Sequence, residues 1–407
     1  MDLEVLSPAG NRECLEAVLR YGADAVYLAG SAFGMRTAPD NFTADGIAEA
    51  VKLCHGQKKP VRVYAAVNTL PRSVEIAELP RFLSVLDAAG VDAVIAADLG
   101  VMALARRYCP RAALHISTQF GVVNYETANR LFEMGASRIV LARELSIEEI
   151  AEIRAKTDPA LQLECFVHGA MCISWSGRCV ISNWLTGRDA NRGDCAQPCR
   201  WPYRAELIEP ARDRQPMTLE EDRNGSFLFN ANDLNMIGHL PALAAAGVTA
   251  FKIEGRAKAA YYAAAVTNAY QAAKTAFVNG GRRPDFRQED WVIEELNRVS
   301  HRPYGTGFYF GQPAQETVRG GYIRDWQVAA VVTGYENGRI VLSQRNRFST
   351  GETLSVLEPQ KPPYDLTVTA LYDQTDAWIP AAPHPQMICR IPWGRRIAAG
   401  SFLRKKI

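Results

Sequence analysis

The chain has 407 residues, 48% of them hydrophobic and 22% charged, with Lys plus Arg at 46 against Asp plus Glu at 44. This length fits one large α/β domain with a smaller companion, and the composition supplies a sizeable core. A net charge of +2 excludes a histone-like, strongly basic nucleic-acid binder but leaves room for a local basic patch.

No run approaches 18 uninterrupted apolar residues, so no membrane span is expected. The opening MDLEVLSPAG has no basic n-region and no apolar h-region, which leads to the expectation of a cytoplasmic protein. In that compartment nine cysteines are read as thiols or metal ligands rather than disulfides. Five of the nine fall between Cys165 and Cys199.

A pattern of helix, glycine and short β-rich run recurs through the first 280 residues, at Tyr21 to Gly30, Ala89 to Asp98, Met134 to Arg143 and Ala246 to Gly255. Gly22, Gly90, Gly135 and Gly247 sit where a helix needs a left-handed C-terminal cap. The apolar runs that follow are short and β-branched, as in strands buried on both faces. Further strands are expected at Val61 to Asn68, Ala113 to Thr118 and Gln162 to Gly169. Amphipathic helices are expected at Asp45 to Cys54, Ile76 to Ala89 and Ser146 to Lys156, the last opened by a Ser146/Glu149 capping box. Seven to nine β-α units in about 280 residues point to an α/β fold, a (β/α)8-type TIM-like barrel, whether regular or irregular. A doubly wound sheet is the alternative, although no GxGxxG follows the first strand.

After about residue 305 the chain changes to short alternating runs, Val328 to Val332, Arg339 to Ser343 and Leu366 to Ala370, broken by Gly, Pro and Asn. Asn337-Gly338 supplies a hairpin turn. The expected organisation is therefore a barrel over residues 1–304, with a Cys-rich insertion at about 170–203, and a small all-β domain over 305–407. From His301 onward there are 13 Lys/Arg against 8 Asp/Glu, a net +5 that leaves −3 for the first 300 residues. Arg395, Arg396, Arg404, Lys405 and Lys406 are read either as a solvated tail or as phosphate contacts to RNA.

Cys172, Cys179, Cys195 and Cys199 are spaced C-x6-C-x15-C-x3-C. A zinc knuckle uses tighter pairs, and looser thiolate spacing beside Gly and Pro suits an iron–sulfur cluster. Structural zinc and unrelated buried thiols remain open on spacing alone. Cys165 alternates onto the core side of its strand, and Cys14, Cys54, Cys109 and Cys389 are isolated. The cluster segment directly follows a strand, which in a barrel places it on the catalytic face.

Other strand ends carry polar residues at period two, which turns one face to the lumen or mouth. His115, Ser117 and Gln119 form one such row, and Lys252, Glu254 and Arg256 another; Asn68, Arg143 and Glu144 end further strands. Glu164, His168, Lys252 and Glu254 are the candidates for catalysis. Each has a structural alternative, a buried Lys252–Glu254 ion pair or satisfied core histidines at His115 and His168. Several cations at one mouth suit a small anionic substrate, above all a carboxylate.

Glu164-Cys165-Phe166-Val167-His168-Gly169-Ala170-Met171-Cys172 and Gly177-Arg178-Cys179-Val180-Ile181-Ser182 resemble the signature of the U32 collagenase-like peptidase family. Leu6-Ser7-Pro8-Ala9-Gly10, Arg143-Glu144-Leu145 and Lys252-Ile253-Glu254-Gly255-Arg256 resemble further motifs of that family. Cys195-x3-Cys199-Arg200-Trp201 and His301-Arg302-x-Tyr304-x-x-Gly307-Phe308 are most similar to its prephenate-dependent tRNA uridine hydroxylation branch.

The resemblance implies a 4Fe–4S cluster on Cys172, Cys179, Cys195 and Cys199, with zinc as the alternative metal. It also implies oxygen-independent 5-hydroxylation of the wobble uridine of tRNA, with prephenate as co-substrate. Prephenate is a dicarboxylate, for which Arg36, Asn68, His115, Gln119, Arg143, Arg178, Lys252 and Arg256 are the candidate contacts. Alternatives within the family are an rRNA cytidine hydroxylase and a ubiquinone-type hydroxylase; from another class, a collagenase-like metal or cysteine peptidase. Neither HExxH nor GxSxG is present, and a cysteine bound to a cluster cannot also attack a peptide bond. Oligomeric state is not legible.

Overall fold

The computed structural model describes residues 2–35, 41–172, 174–175, 177–201, 206–208, 216–218, 231–313 and 321–407. The first strands are β1 (Glu4–Pro8), β2 (Ala25–Ala29), β3 (Arg62–Val67), β4 (Ala93–Ala96), β5 (Ala113–Ile116), β6 (Ala136–Val140) and β7 (Gln162–Gly169), and each pairs in parallel with the next. The chain beyond β7 carries β8 (Glu206–Ile208), paired with β9 (Pro216–Thr218), and β10 (Asp233–Asn235), which lies antiparallel to β7. Next, β11 (Ala250–Ile253) runs parallel to both β7 and β1 and closes an eight-stranded barrel. A two-residue strand, β12 (Tyr304–Gly305), extends the sheet beside β10.

The helices are α1 (Arg12–Arg20), α2 (Ala44–His55), α3 (Ser73–Ile76), α4 (Leu79–Ala89), α5 (Leu99–Tyr108), α6 (Tyr125–Glu133), α7 (Ile147–Ala155), α8 (Ile181–Thr186), α9 (Leu240–Ala245), α10 (Ala260–Asn279) and α11 (Asp290–Leu296). The four repeat glycines all take left-handed backbone, with φ of 91° at Gly22, 77° at Gly90, 96° at Gly135 and 88° at Gly247. The Ser146/Glu149 capping box is formed in both directions. The TIM-like barrel read from the repeat is thus the fold.

The barrel strands are buried along nearly their whole length, because helices cover one side and barrel side chains fill the other. Leu6, Tyr27, Tyr64 and Ile95 pack together in the core. Barrel interiors are ordinarily layered with branched aliphatics; this one also buries Glu4, His115, Arg138, Glu164 and Lys252.

By its contacts the chain divides into two units, the first made of Met1–Arg12, Asp24–Ala257 and His301–Tyr322. The second combines Glu13–Ala23, Lys258–Ser300 and Ile323–Ile407. Its strands are β13 (Trp326–Glu336), β14 (Arg339–Gln344), β15 (Phe348–Ser349), β16 (Thr353–Leu357), β17 (Tyr364–Thr367), β18 (Tyr372–Asp373), β19 (Ala381–Ala382), β20 (Ile388–Pro392) and β21 (Phe402–Lys406). Seven of them form one antiparallel sheet in the order β17-β16-β21-β13-β14-β20-β18, and β15 pairs with β19.

The β13–β14 hairpin turns at Asn337 (φ 49°) and Gly338 (φ 77°), as the sequence leads one to expect. The run expected over Leu366 to Ala370 is shifted toward the N-terminus, to Tyr364–Thr367, where Leu366 pairs with Leu354 in the core. Within the same unit, the Tyr21 hydroxyl donates to the Leu357 carbonyl at 2.8 Å, and Asn268 Oδ1 accepts from the Gln360 amide at 2.7 Å.

Candidate active site

The site grows from the ends of the barrel strands. A cavity of about 330 Å³ is lined by Asn68 after β3, Ser117 and Gln119 after β5, Arg143 after β6, Phe166 of β7, Lys252 of β11, and Glu254 and Arg256 beyond it. All four cysteines, Cys172, Cys179, Cys195 and Cys199, line the same cavity, together with Met171, Trp175, Arg188, Asp194 and Arg200. Loops at the C-terminal ends of barrel strands are where this fold builds its chemistry.

Two close backbone approaches hold these loops. A Cβ on Gly10 would overlap the Arg256 carbonyl, and one on Gly177 (φ 75°) would overlap that of Gln119. Gly10 therefore lets Leu6-Ser7-Pro8-Ala9-Gly10 pass against the Arg256 turn. Gly177 in turn seats the cysteine segment on the turn after β5. On the other side of the segment, Arg192 Nη2 donates to Glu75 of α3 at 2.5 Å.

The cations are fixed in advance of any ligand. Arg143 lies with its guanidinium carbon 3.8 Å from the centre of the Phe166 ring and donates to the Ala170 carbonyl at 3.1 Å. Lys252 Nζ donates to Glu164 Oε1 at 2.8 Å and stands 4.7 Å from the Tyr27 ring centre. Arg200 bonds Gln197 Oε1 at 2.9 Å. Asn68 accepts from the Met35 amide at 3.0 Å and donates to Ser117 Oγ at 3.2 Å, so both faces of its amide are set.

Beneath the cavity runs a buried ionic chain. Arg138 Nη1 lies 2.6 Å from Glu4 Oε1 and 3.0 Å from Glu164 Oε2, while Tyr64 donates to Glu4 Oε2 at 2.9 Å. Arg62 also pairs with Glu4. Burial alone would raise the Glu164 carboxyl, yet Lys252 and Arg138 hold it below the usual carboxylate range. Burial lowers Lys252, reinforced by Arg138 and Arg256 and opposed by Glu164. His115 is pushed well below its ordinary value by burial and by the charges of Arg138, Lys252 and Arg62, so its imidazole is neutral.

Several expectations change at this level. Glu164, His115 and His168 are buried and are not among the cavity-lining residues. Glu164 is spent on Arg138 and Lys252, His115 meets the Tyr64 ring edge-on at 4.7 Å, and His168 lies 5.4 Å from the Tyr304 ring centre. The expected Lys252–Glu254 pair is instead Lys252–Glu164. Arg178 is exposed and outside the lining. Arg36 lies outside the described residues. Ser117, on the polar row expected to face the mouth, lines the cavity, whereas Arg200 and Trp175 join the site unassigned by the sequence, although Arg200 and Trp201 directly follow Cys199.

The cysteines divide as expected from position. Cys14, Cys54, Cys109, Cys165 and Cys389 are buried, whereas Cys172 and Cys195 are exposed and Cys179 and Cys199 half-buried. Burial pushes Cys54, Cys165 and Cys389 up to about 12 and Cys109 up to about 11, which keeps them protonated and unreactive. Burial also raises Cys199; Arg200 lowers it, and Cys172, Cys195 and Cys179 each raise it again, so these three thiols lie within electrostatic reach of Cys199. A single tetrahedral zinc would draw four sulfurs to about 4 Å of each other, given its short Zn–S bonds. Among the described residues, no set of three or more His, Cys, Asp or Glu side chains stands close enough together to hold a metal ion. The donor set is four thiols lining one cavity, the ligand type that both a zinc ion and an iron–sulfur cluster take.

The expected RNA contacts in the second unit are only partly available. Arg404 is a correction. It is 0% exposed, because β21 lies inside the sheet between β13 and β16, and its guanidinium is committed to Glu295, with Nη2 at 2.6 Å from Oε2, and to the Tyr261 hydroxyl at 2.9 Å. Lys405 bonds Glu352 at 2.5 Å. Arg395 lies over the Tyr364 ring and 3.4 Å from Glu358. Arg396 and Lys406 are exposed.

The sequence profile of peptidase family U32 matches residues 10–319, and that of the peptidase family U32 C-terminal domain matches residues 324–404. The chain is 33% identical over 407 residues to the tRNA hydroxylation protein P1 of Bacillus subtilis, spanning 99% of this chain and 94% of that one. It is 39% identical to a tRNA hydroxylation protein P of Helicobacter pylori, over 76% of this chain and 72% of the relative. It is also 36% identical to the 23S rRNA 5-hydroxycytidine synthase of Escherichia coli, over 76% of this chain and 45% of that protein.

Proposed function

The chain belongs to peptidase family U32, and we propose that it is an RNA-modifying enzyme that hydroxylates C5 of the wobble uridine of tRNA. Support comes from relatives named for tRNA hydroxylation, one of which the chain matches over nearly its whole length. A single structural observation carries the reading: one barrel-mouth cavity gathers four cysteines and the cations of Arg143, Arg200, Lys252 and Arg256.

Cys172, Cys179, Cys195 and Cys199 are the residues we assign to a 4Fe–4S cluster. Bound there, such a cluster would supply electron transfer beside the substrate. The cations suit prephenate, whose two carboxylates need paired donors. Arg143, fixed by Phe166 and Ala170, and Arg256 bind them at little ordering cost. Lys252, neutralised in part by Glu164, sets the field at the floor. Glu254 is the lining carboxylate we assign to proton transfer, since it shares that floor with Lys252. Met171, Phe166 and Tyr27 give the apolar walls that a flipped pyrimidine requires. No described helix is long and apolar enough to cross a membrane.

Nucleoside mass spectrometry of digested tRNA and rRNA from a strain lacking the gene tests this reading. Loss of 5-hydroxyuridine-derived nucleosides from tRNA alone is the expected result. Loss of 5-hydroxycytidine from rRNA would move the substrate to the second RNA class, which the rRNA-modifying relative represents. Unchanged RNA, with gelatin cleavage by the purified protein that disappears in Cys172→Ala, would transfer the site to peptide hydrolysis.

A further inference from the structure

The cysteine segment carries a surface that cluster binding and a cavity do not explain. Soluble chains bury tryptophan for the large apolar area it removes from water. Yet Trp184 of α8 is 87% exposed, Trp175 46% and Trp201 40%. Val180 and Leu185 beside them are exposed as well. These three tryptophans, of the chain's seven, fall within a stretch of 27 residues that also holds Arg178, Arg188, Arg192 and Arg200 against only Asp189 and Asp194. Arg188 pairs with Asp194 at 2.7 Å and Arg192 with Glu75, so those two hold the segment's fold. Arg178 is exposed, and Arg200 reaches the cavity.

We propose that this segment is the surface that reads RNA, its exposed tryptophans stacking on unpaired bases of a loop while Arg178 meets the backbone phosphates. This rests on the RNA-modification reading above and adds the class of RNA and the residues that grip it. Aromatic faces interleaved with arginine match single-stranded RNA, which offers a π-face on every base and a phosphate on every nucleotide. A duplex hides its base faces and would leave the tryptophans without partners. A protein partner would leave the excess of arginine unmatched unless it were acidic. Continuity with the chemistry supports the same occupant, since Trp175 lines the cavity that holds Lys252 and the four cysteines. A base stacked at the rim is therefore next to the site into which its neighbour must be flipped.

The test is equilibrium binding of the full chain, prepared without oxygen, to a fluorescent RNA hairpin with an unpaired uridine-containing loop, and to a fully paired duplex of equal length. The hairpin is expected to bind more tightly. Trp184→Ala and Trp201→Ala should each weaken hairpin binding about tenfold, the loss of one base stack, with the salt dependence unchanged and duplex binding unaffected. Trp184→Phe should retain most of the affinity, because the ring is kept. Arg178→Ala should flatten the slope of log K against log salt by about 0.7, one phosphate contact on a single strand. Hairpin affinities equal to wild type in both alanine variants would overturn the stacking surface and leave the RNA-modification reading standing. A wild-type chain that binds neither RNA would overturn both.

Discussion

Lys252 Nζ and Glu164 Oε1 meet at 2.8 Å inside the barrel, each all but excluded from solvent, 88 residues apart in the sequence. Through Glu164 the pair continues to Arg138 and Glu4, so the floor of the cavity rests on four buried charges that neutralise one another. Removing one partner of such a set leaves an uncompensated charge in a low-dielectric interior. Arg138→Met should therefore cost about 3–5 kcal/mol of stability, read as a lowered denaturant midpoint. A midpoint within error of wild type would show that the chain is not needed to hold the barrel closed.

His115 gives a pH dependence of known sign. Its folded-state value lies well below the ordinary one, from burial and then the charges of Arg138, Lys252 and Arg62. The unfolded histidine titrates near about 6.5. Below that pH the unfolded chain binds a proton that the folded chain refuses, so stability falls as pH falls, by up to about 1.4 kcal/mol per pH unit. Denaturation curves between about pH 7 and pH 5 should show this slope reduced in His115→Gln. Parallel curves for the two proteins would mean that His115 does not carry it.

Arg404 and Glu295 form a second buried pair, with Tyr261 on the same guanidinium. Arg404→Met alone should lower stability by about 3–5 kcal/mol, whereas Arg404→Met with Glu295→Gln should recover much of it, since no charge is stranded. Additive losses in the double variant would refute the pairing. Any RNA affinity in this second unit falls instead to Arg396 and Lys406, and reversing both charges should weaken binding and its salt dependence.

Thiol reactivity separates the two classes of cysteine. In native protein free of bound metal, alkylation at about pH 8 should label Cys172, Cys179 and Cys195 readily and Cys199, which burial raises, more slowly, and spare the five buried thiols, whose values burial raises further or whose access it blocks. Labelling of Cys165 or Cys389 before unfolding would contradict the packing.

Local signals were legible in the sequence, whereas long-range pairings were not. Gly90 and the Ser146/Glu149 box could be read directly because a helix cap is decided within a few residues. The barrel followed from repetition, and the site's four cysteines from their position after a strand. Arg404 was misplaced because Arg-Lys-Lys near a C-terminus looks like a solvated tail until its strand is found in mid-sheet with Glu295 at its side. Glu164 was read as catalytic for a similar reason. Alternation put it on the barrel's inner face, but only the closed barrel brings Arg138 and Lys252 to it. Arg200 and Trp184 passed unassigned because an exposed tryptophan and a cavity-facing arginine differ from ordinary surface residues only once burial is known.

The link between the cysteine-lined cavity and RNA hydroxylation is tested most directly in cells that carry Cys195→Ser as their only copy of the gene. Nucleoside mass spectrometry of their tRNA, with the variant present at wild-type abundance, should show 5-hydroxyuridine-derived nucleosides reduced to the level of the deletion strain. A wild-type level of those nucleosides in the Cys195→Ser cells would contradict it.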